Sequence, residues 1–71
     1  MEIINISTPT IQLDQLLKWA GIAESGGQVR LFLDDNLIKL NGAQIHERRK
    51  KIHPGDIIEI KDMGIWKVMA E

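Results

Sequence analysis

The spacing of apolar residues changes character along the 71-residue chain, and each change marks an element. Residues 2–6, Glu-Ile-Ile-Asn-Ile, are β-branched and imperfectly alternating, which predicts a short strand. Ser7-Thr8-Pro9-Thr10 interrupts it, because Pro9 fixes the chain and its hydroxyl-bearing neighbours favour a cap or turn. From Leu13 the period lengthens. Leu13, Leu16, Leu17 and Ala20 fall at i, i+3, i+4 and i+7, one stripe of a helix, and Gly21 is the usual C-terminal stop. This predicts a first helix over 13–20. A second helix starts from Ser25, with Val29, Phe32 and Leu33 on its apolar face and Leu31 to one side. Asp34, Asp35 and Asn36 end it, and asparagine suits a left-handed C-terminal position. The short link from Gly21 to Glu24 sets the helices antiparallel or steeply crossed.

Beyond Asn36 the period is two. Leu37–Leu40 and Ala43–Ile45 flank Asn41-Gly42, the strongest short signal for a hairpin. Pro54-Gly55-Asp56 makes a turn before the strand Ile57–Ile60. Residues 64–70 alternate, with Ile65, Lys67 and Met69 on one side and Trp66 and Val68 on the other, a strand able to pair with the N-terminal one. The fold class is α+β: two short helices followed by a small, mostly antiparallel β-sheet, in one domain spanning 1–71.

One stretch conflicts with its element. Ser25-Gly26-Gly27-Gln28 opens the second helix, yet each helical glycine costs roughly 1 kcal/mol relative to alanine. Ser25 and Gln28 read as a capping box, each bonding the other's backbone N–H. The glycines leave N–H groups uncovered at the positive end of the helix dipole, where an anion can approach closely. The alternative is a helix–helix corner too tight for larger side chains.

Composition narrows the function classes. The chain has no cysteine, which removes disulfides and thiolate metal sites, so a core drawn from the 44% of hydrophobic residues must suffice. No secretory signal is evident and no apolar run approaches the ~20 residues that span a bilayer, so a cytoplasmic protein without a membrane partner is expected. A chain this short favours a binding surface over a walled catalytic cleft. No nucleophile–base pair or Walker-type loop appears, and the expectation is a protein that is not an enzyme and takes no cofactor. His46 and His53 lack a third ligand nearby and point to weak, pH-dependent positive charge rather than a metal site.

The net charge of −1 conceals a division. Residues 1–36 carry −3, whereas residues 37–53 carry +4, with Arg48, Arg49, Lys50 and Lys51 consecutive. Burying unpaired charge is costly, so these four are expected to project from a surface loop, either to meet phosphates or as a solvated stretch that aids solubility.

The ordered set Leu13-Asp14, Gly21, Ser25, Asn41-Gly42 and Gly55-Asp56 resembles the S4-like RNA-binding domain, or alpha-L motif, over about residues 13–60. Within it the chain is similar to the short, free-standing bacterial proteins of the YaaA/YbcJ type. The wider family usually has Ser-Arg at the start of its second helix. Here Gly26 takes the arginine position, and the contact such an arginine makes is expected to be absent. The resemblance implies a monomer that docks structured RNA, ribosomal RNA ahead of transfer RNA, in ribosome assembly or quality control, with the ribosome or a subunit as its setting.

Candidate RNA contacts are therefore Arg48, Arg49, Lys50 and Lys51, with Ser25, Gly26 and Gly27 at the helix start. Arg30 joins them on the resemblance, against the alternative of a weak pair with Asp34. Lys39 on the hairpin and Lys18 opposite the first helix stripe are edge candidates. Trp19 and Trp66 are expected to pack in the core or on the sheet flank rather than stack on bases. Two other classes compete: a protein-interaction adaptor whose basic loop meets an acidic partner, and a β-grasp carrier, disfavoured by the ending Lys-Val-Met-Ala-Glu in place of Gly-Gly and by the missing opening hairpin.

Overall fold

In the computed structural model, which describes all 71 residues, the chain runs β1 (Glu2–Ile6), β2 (Ile11–Gln12), α1 (Leu13–Trp19), α2 (Gly26–Asp34), β3 (Ile38–Leu40), β4 (Ala43–Gln44), β5 (Lys51–Ile52), β6 (Ile57–Ile60) and β7 (Gly64–Ala70). The α+β expectation holds. Five strands form one sheet in the order β1-β7-β6-β3-β4. All of its pairs are antiparallel except β1 with β7, where Ile4 lies opposite Val68. Two-residue strands β2 and β5 make a separate ladder that the alternation rule did not reveal.

Strand alternation divides the sheet into two faces. Ile4, Ile6, Ile38, Ile58, Ile60, Trp66 and Val68 point inward and meet Leu13, Leu16, Leu17, Val29 and Leu33 of the helices. Burying one such side chain is worth about 1.5–3 kcal/mol, and these contacts hold two helices too short to persist alone. Trp66 joins the core as expected, and its indole Nε1 donates to the Glu2 carboxylate at 2.7 Å. A Cβ at Gly64, where φ is +153°, would come within 3.2 Å of the Trp66 ring. Trp19 overturns its expectation: it is 71% exposed. It lies at the last position of α1, about a third of a turn round the helix from the buried stripe of Leu13, Leu16 and Leu17.

Two resemblance-bearing pairs meet in space. Asn41 and Gly42 both have positive φ, as a type I′ hairpin turn requires. The Asn41 side chain donates to the Asp56 carboxylate at 3.0 Å and accepts from the Ile57 N–H at 2.8 Å. Asp56 also accepts from the His53 N–H at 2.7 Å. The hairpin turn is thereby locked to the turn before β6. Asp56→Ala removes two acceptors at once, and we expect a loss of about 1–2 kcal/mol. Thermal unfolding checks this as a fall in Tm of about 4–8 °C per kcal/mol. Asp56→Asn, which keeps one acceptor oxygen, should lose less than the alanine variant.

Candidate nucleic-acid interface

The site is built where the two helices begin. No side chain caps α1, since its N-cap residue Gln12 makes no such bond. The loop before β5 does so instead. Leu13 N–H donates to the Lys50 carbonyl at 2.8 Å, and Asp14 N–H donates to the Arg48 carbonyl at 3.1 Å. Two of the four donors that every helix start leaves unpaired are thus satisfied by the backbone of the basic segment. Gln12 and Lys51 then pair across β2 and β5, continuing the attachment.

This tether turns the cations into a fixed array with two roles. Arg49 and Lys51 are exposed, as expected. Arg48 and Lys50 are half-buried, so the expectation that all four project freely is corrected. The Arg48 Nε lies 3.9 Å from Oδ2 of Asp14, whose side chain is only 12% exposed. Its guanidinium then reaches the start of α2, with Nη1 3.5 Å from where a Cβ on Gly26 would stand. No local pattern signals that residue 48 meets residues 14 and 26. An acidic residue in a helix first turn is too common a feature to single out a partner.

At α2 the cap differs in one detail from the expected box. Ser25 Oγ accepts from the Gln28 N–H at 3.2 Å, but the Gln28 side chain accepts from Glu24 N–H at 2.6 Å rather than from Ser25. The N–H groups of Gly26 and Gly27 have no acceptor within the protein. Neither glycine is required by packing. A Cβ would meet nothing closer than 3.5 Å at Gly26 and 3.6 Å at Gly27, ordinary contact distances, and neither has positive φ. The tight-corner explanation therefore finds no tight contact.

The remaining candidates scatter. Arg30, on the exposed side of α2, is 3.3 Å from Asp34 in an exposed i,i+4 pair, a geometry worth only about 0.3–0.5 kcal/mol and easily exchanged. Lys18 is exposed on α1 beside Trp19. Lys39 stands apart, on the outer face of the five-stranded sheet, opposite Glu59 and Gln44. No group of three His, Asp or Glu side chains is placed to hold a metal, and no helix is long and apolar enough to cross a membrane.

Comparison with known proteins agrees with this architecture. The S4 domain family model matches residues 4–68, which takes in both helices and all but the chain ends. The chain is also 35% identical over 66 residues to the Bacillus subtilis (strain 168) protein named "Probable ribosome maturation protein RlbA", covering 93% of each chain. A match of that extent, over the elements that carry the Asn41–Asp56 lock and the capped helix starts, makes this chain a member of the S4 domain family.

Proposed function

We propose that this protein docks structured ribosomal RNA during ribosome maturation, through a phosphate-binding surface formed by the basic segment and the start of α2. The observation that carries this reading is the convergence of Arg48 on Gly26. The Arg48 guanidinium, paired with Asp14, stands 3.5 Å from the open side of Gly26, at the positive end of a nine-residue helix where the N–H groups of Gly26 and Gly27 are unpaired. Phosphate oxygens match that set: N–H donors at a helix start, a planar cation alongside, and no side chain in the way. Arg49, Lys50 and Lys51 extend the positive surface along the RNA backbone. Arg30 adds a cation one turn further along α2 when it exchanges Asp34 for phosphate, and Lys18 flanks the surface from α1. Lys39 faces away from it and stands outside the reading.

Membership of the S4 domain family supports RNA as the ligand, and the name of the Bacillus subtilis relative supports the ribosomal setting. The surface lacks an aromatic platform of the kind that reads single strands on a sheet. Recognition then rests on backbone shape and phosphates, as with folded RNA. The role is binding rather than catalysis.

Salt dependence tests the electrostatic half. Binding to deproteinised ribosomal RNA should weaken steeply as salt rises, through counterion release. Changing Arg49, Lys50 and Lys51 together to Gln should reduce the slope of log K against log salt by about two to three, at 0.7–0.9 per lost phosphate contact. An unchanged slope would remove the basic segment from the interface. Excess transfer RNA should fail to displace ribosomal RNA; equal competition would point to a different RNA.

The glycines test the other half. Gly26→Ala and Gly27→Ala should each leave the fold intact or stabilise it by up to about 1 kcal/mol, through helix propensity. Both should weaken RNA binding, because a methyl group enters the space left for phosphate. A double alanine variant with unchanged affinity would sink the proposed phosphate seat.

A further inference from the structure

Trp19 is unexplained by the fold and by the phosphate surface. Tryptophan is highly buried on average, and an indole left in water forgoes a large burial gain. Here 71% of it is exposed on a helix that buries Leu13, Leu16 and Leu17 completely. It is not isolated. With Ile6, Ser7, Thr8 and Ile11 it lines a shallow recess of ≈ 120 Å³. Apolar walls come from Trp19, Ile6 and Ile11. The Thr8 hydroxyl is held by the Thr10 carbonyl at 2.7 Å, whereas the Ser7 hydroxyl has no partner in the protein.

The recess and the basic segment share the backbone of the small ladder, with Lys51 on the ladder face opposite Ile11. Ile11, one of its walls, pairs with Ile52, and the next residue, Gln12, pairs with Lys51. Along α1, Trp19 lies about 9 Å from Leu13 at 1.5 Å per residue, and Leu13 N–H is bonded to the Lys50 carbonyl. Lys18 precedes Trp19 in the chain and is exposed. An aromatic wall, a free hydroxyl and the neighbouring Lys18 match one nucleotide, whose base has a π-face and polar edge and whose phosphate is anionic. An apolar protein side chain would use the walls but leave Lys18 and the Ser7 hydroxyl unanswered.

We infer that Trp19 and the recess beside it seat one unpaired nucleobase of the RNA held by the basic segment, with the indole stacked on the base. This extends the RNA-binding reading and rests on it.

The test compares deproteinised ribosomal RNA with heparin, a polyanion without bases, as probes of the full chain. Trp19→Ala should weaken ribosomal RNA binding about 5- to 150-fold, the range of one base–aromatic stack, with heparin affinity, salt slope and Tm unchanged. Trp19→Phe, which keeps a smaller ring, should retain most of the affinity. Ribosomal RNA should quench the tryptophan emission of the parent but not of Trp19→Phe, where the buried Trp66 is the sole tryptophan. Trp19→Ala binding ribosomal RNA as tightly as the parent, while the Arg49/Lys50/Lys51 variant loses affinity, overturns the base seat and leaves the RNA reading standing. Equal losses for RNA and heparin also overturn it, because the bases would then be irrelevant. A parent that fails to bind ribosomal RNA at about 0.1 M salt overturns both.

Discussion

The hydrogen bonds from Leu13 and Asp14 to the carbonyls of Lys50 and Arg48 are the constraint on which the rest depends. Without a side-chain cap, a seven-residue helix has too few internal bonds to stand alone. Its three fully buried leucines reward docking only once its first turn is closed. The basic segment closes it with backbone, which leaves its side chains free for other tasks. Four adjacent cations on an untethered loop would repel one another and spread. Tied at two carbonyls and continued into β5, they keep a fixed spacing, so the site is ordered by the same bonds that finish the fold. Ordering a loop in advance removes part of the entropy loss that binding would otherwise carry.

The same attachment explains the glycines at the start of α2. Judged along the chain, Gly26 deletes a side chain from a position where relatives of the wider family carry arginine, and a cationic contact disappears. Judged in space, a guanidinium is there: it comes from Arg48, oriented by Asp14. The glycine leaves it room and leaves the backbone N–H groups bare. A cation and two uncovered donors can share one small volume only when the helix residue itself contributes no side chain.

What the sequence revealed follows from how local each determinant is. Both helices, their stops at Gly21 and Asn36, the Asn41-Gly42 turn and the pairing of the first and last strands were readable, because periodicity and turn chemistry act over a few residues. The Ser25 cap was readable for the same reason. The β2–β5 ladder was not, since two residues carry no period. Nor was the Arg48–Asp14–Gly26 contact, which joins three segments that nothing in the pattern links. Trp19 was misjudged because it lies about a third of a turn round the helix from the Leu13/Leu16/Leu17 stripe, and the core beyond α1 is filled instead by Ile22 and Ala23. The basic run was legible as charge, but its division into an anchoring pair and an outward pair depended on which carbonyls the loop spends on α1.

The charge pattern gains a direction once it is laid on the fold. A net charge of −1 would give a polyanion little reason to approach. Along α2, however, charge and dipole run the same way. Its start carries the free N–H groups and Arg48, which Asp14 partly offsets, and its C-terminal end carries Asp34 and Asp35, of which Asp34 is offset by Arg30. Acidic residues at a helix C-terminus are electrostatically unfavourable for the helix. In a protein that meets RNA they repel phosphate from one end of the helix while the other attracts it, and the difference orients the encounter. A uniformly basic domain of this size would bind RNA in many poses. A polarised one, docking through the surface proposed for it, favours one orientation at the expense of a small loss in helix stability.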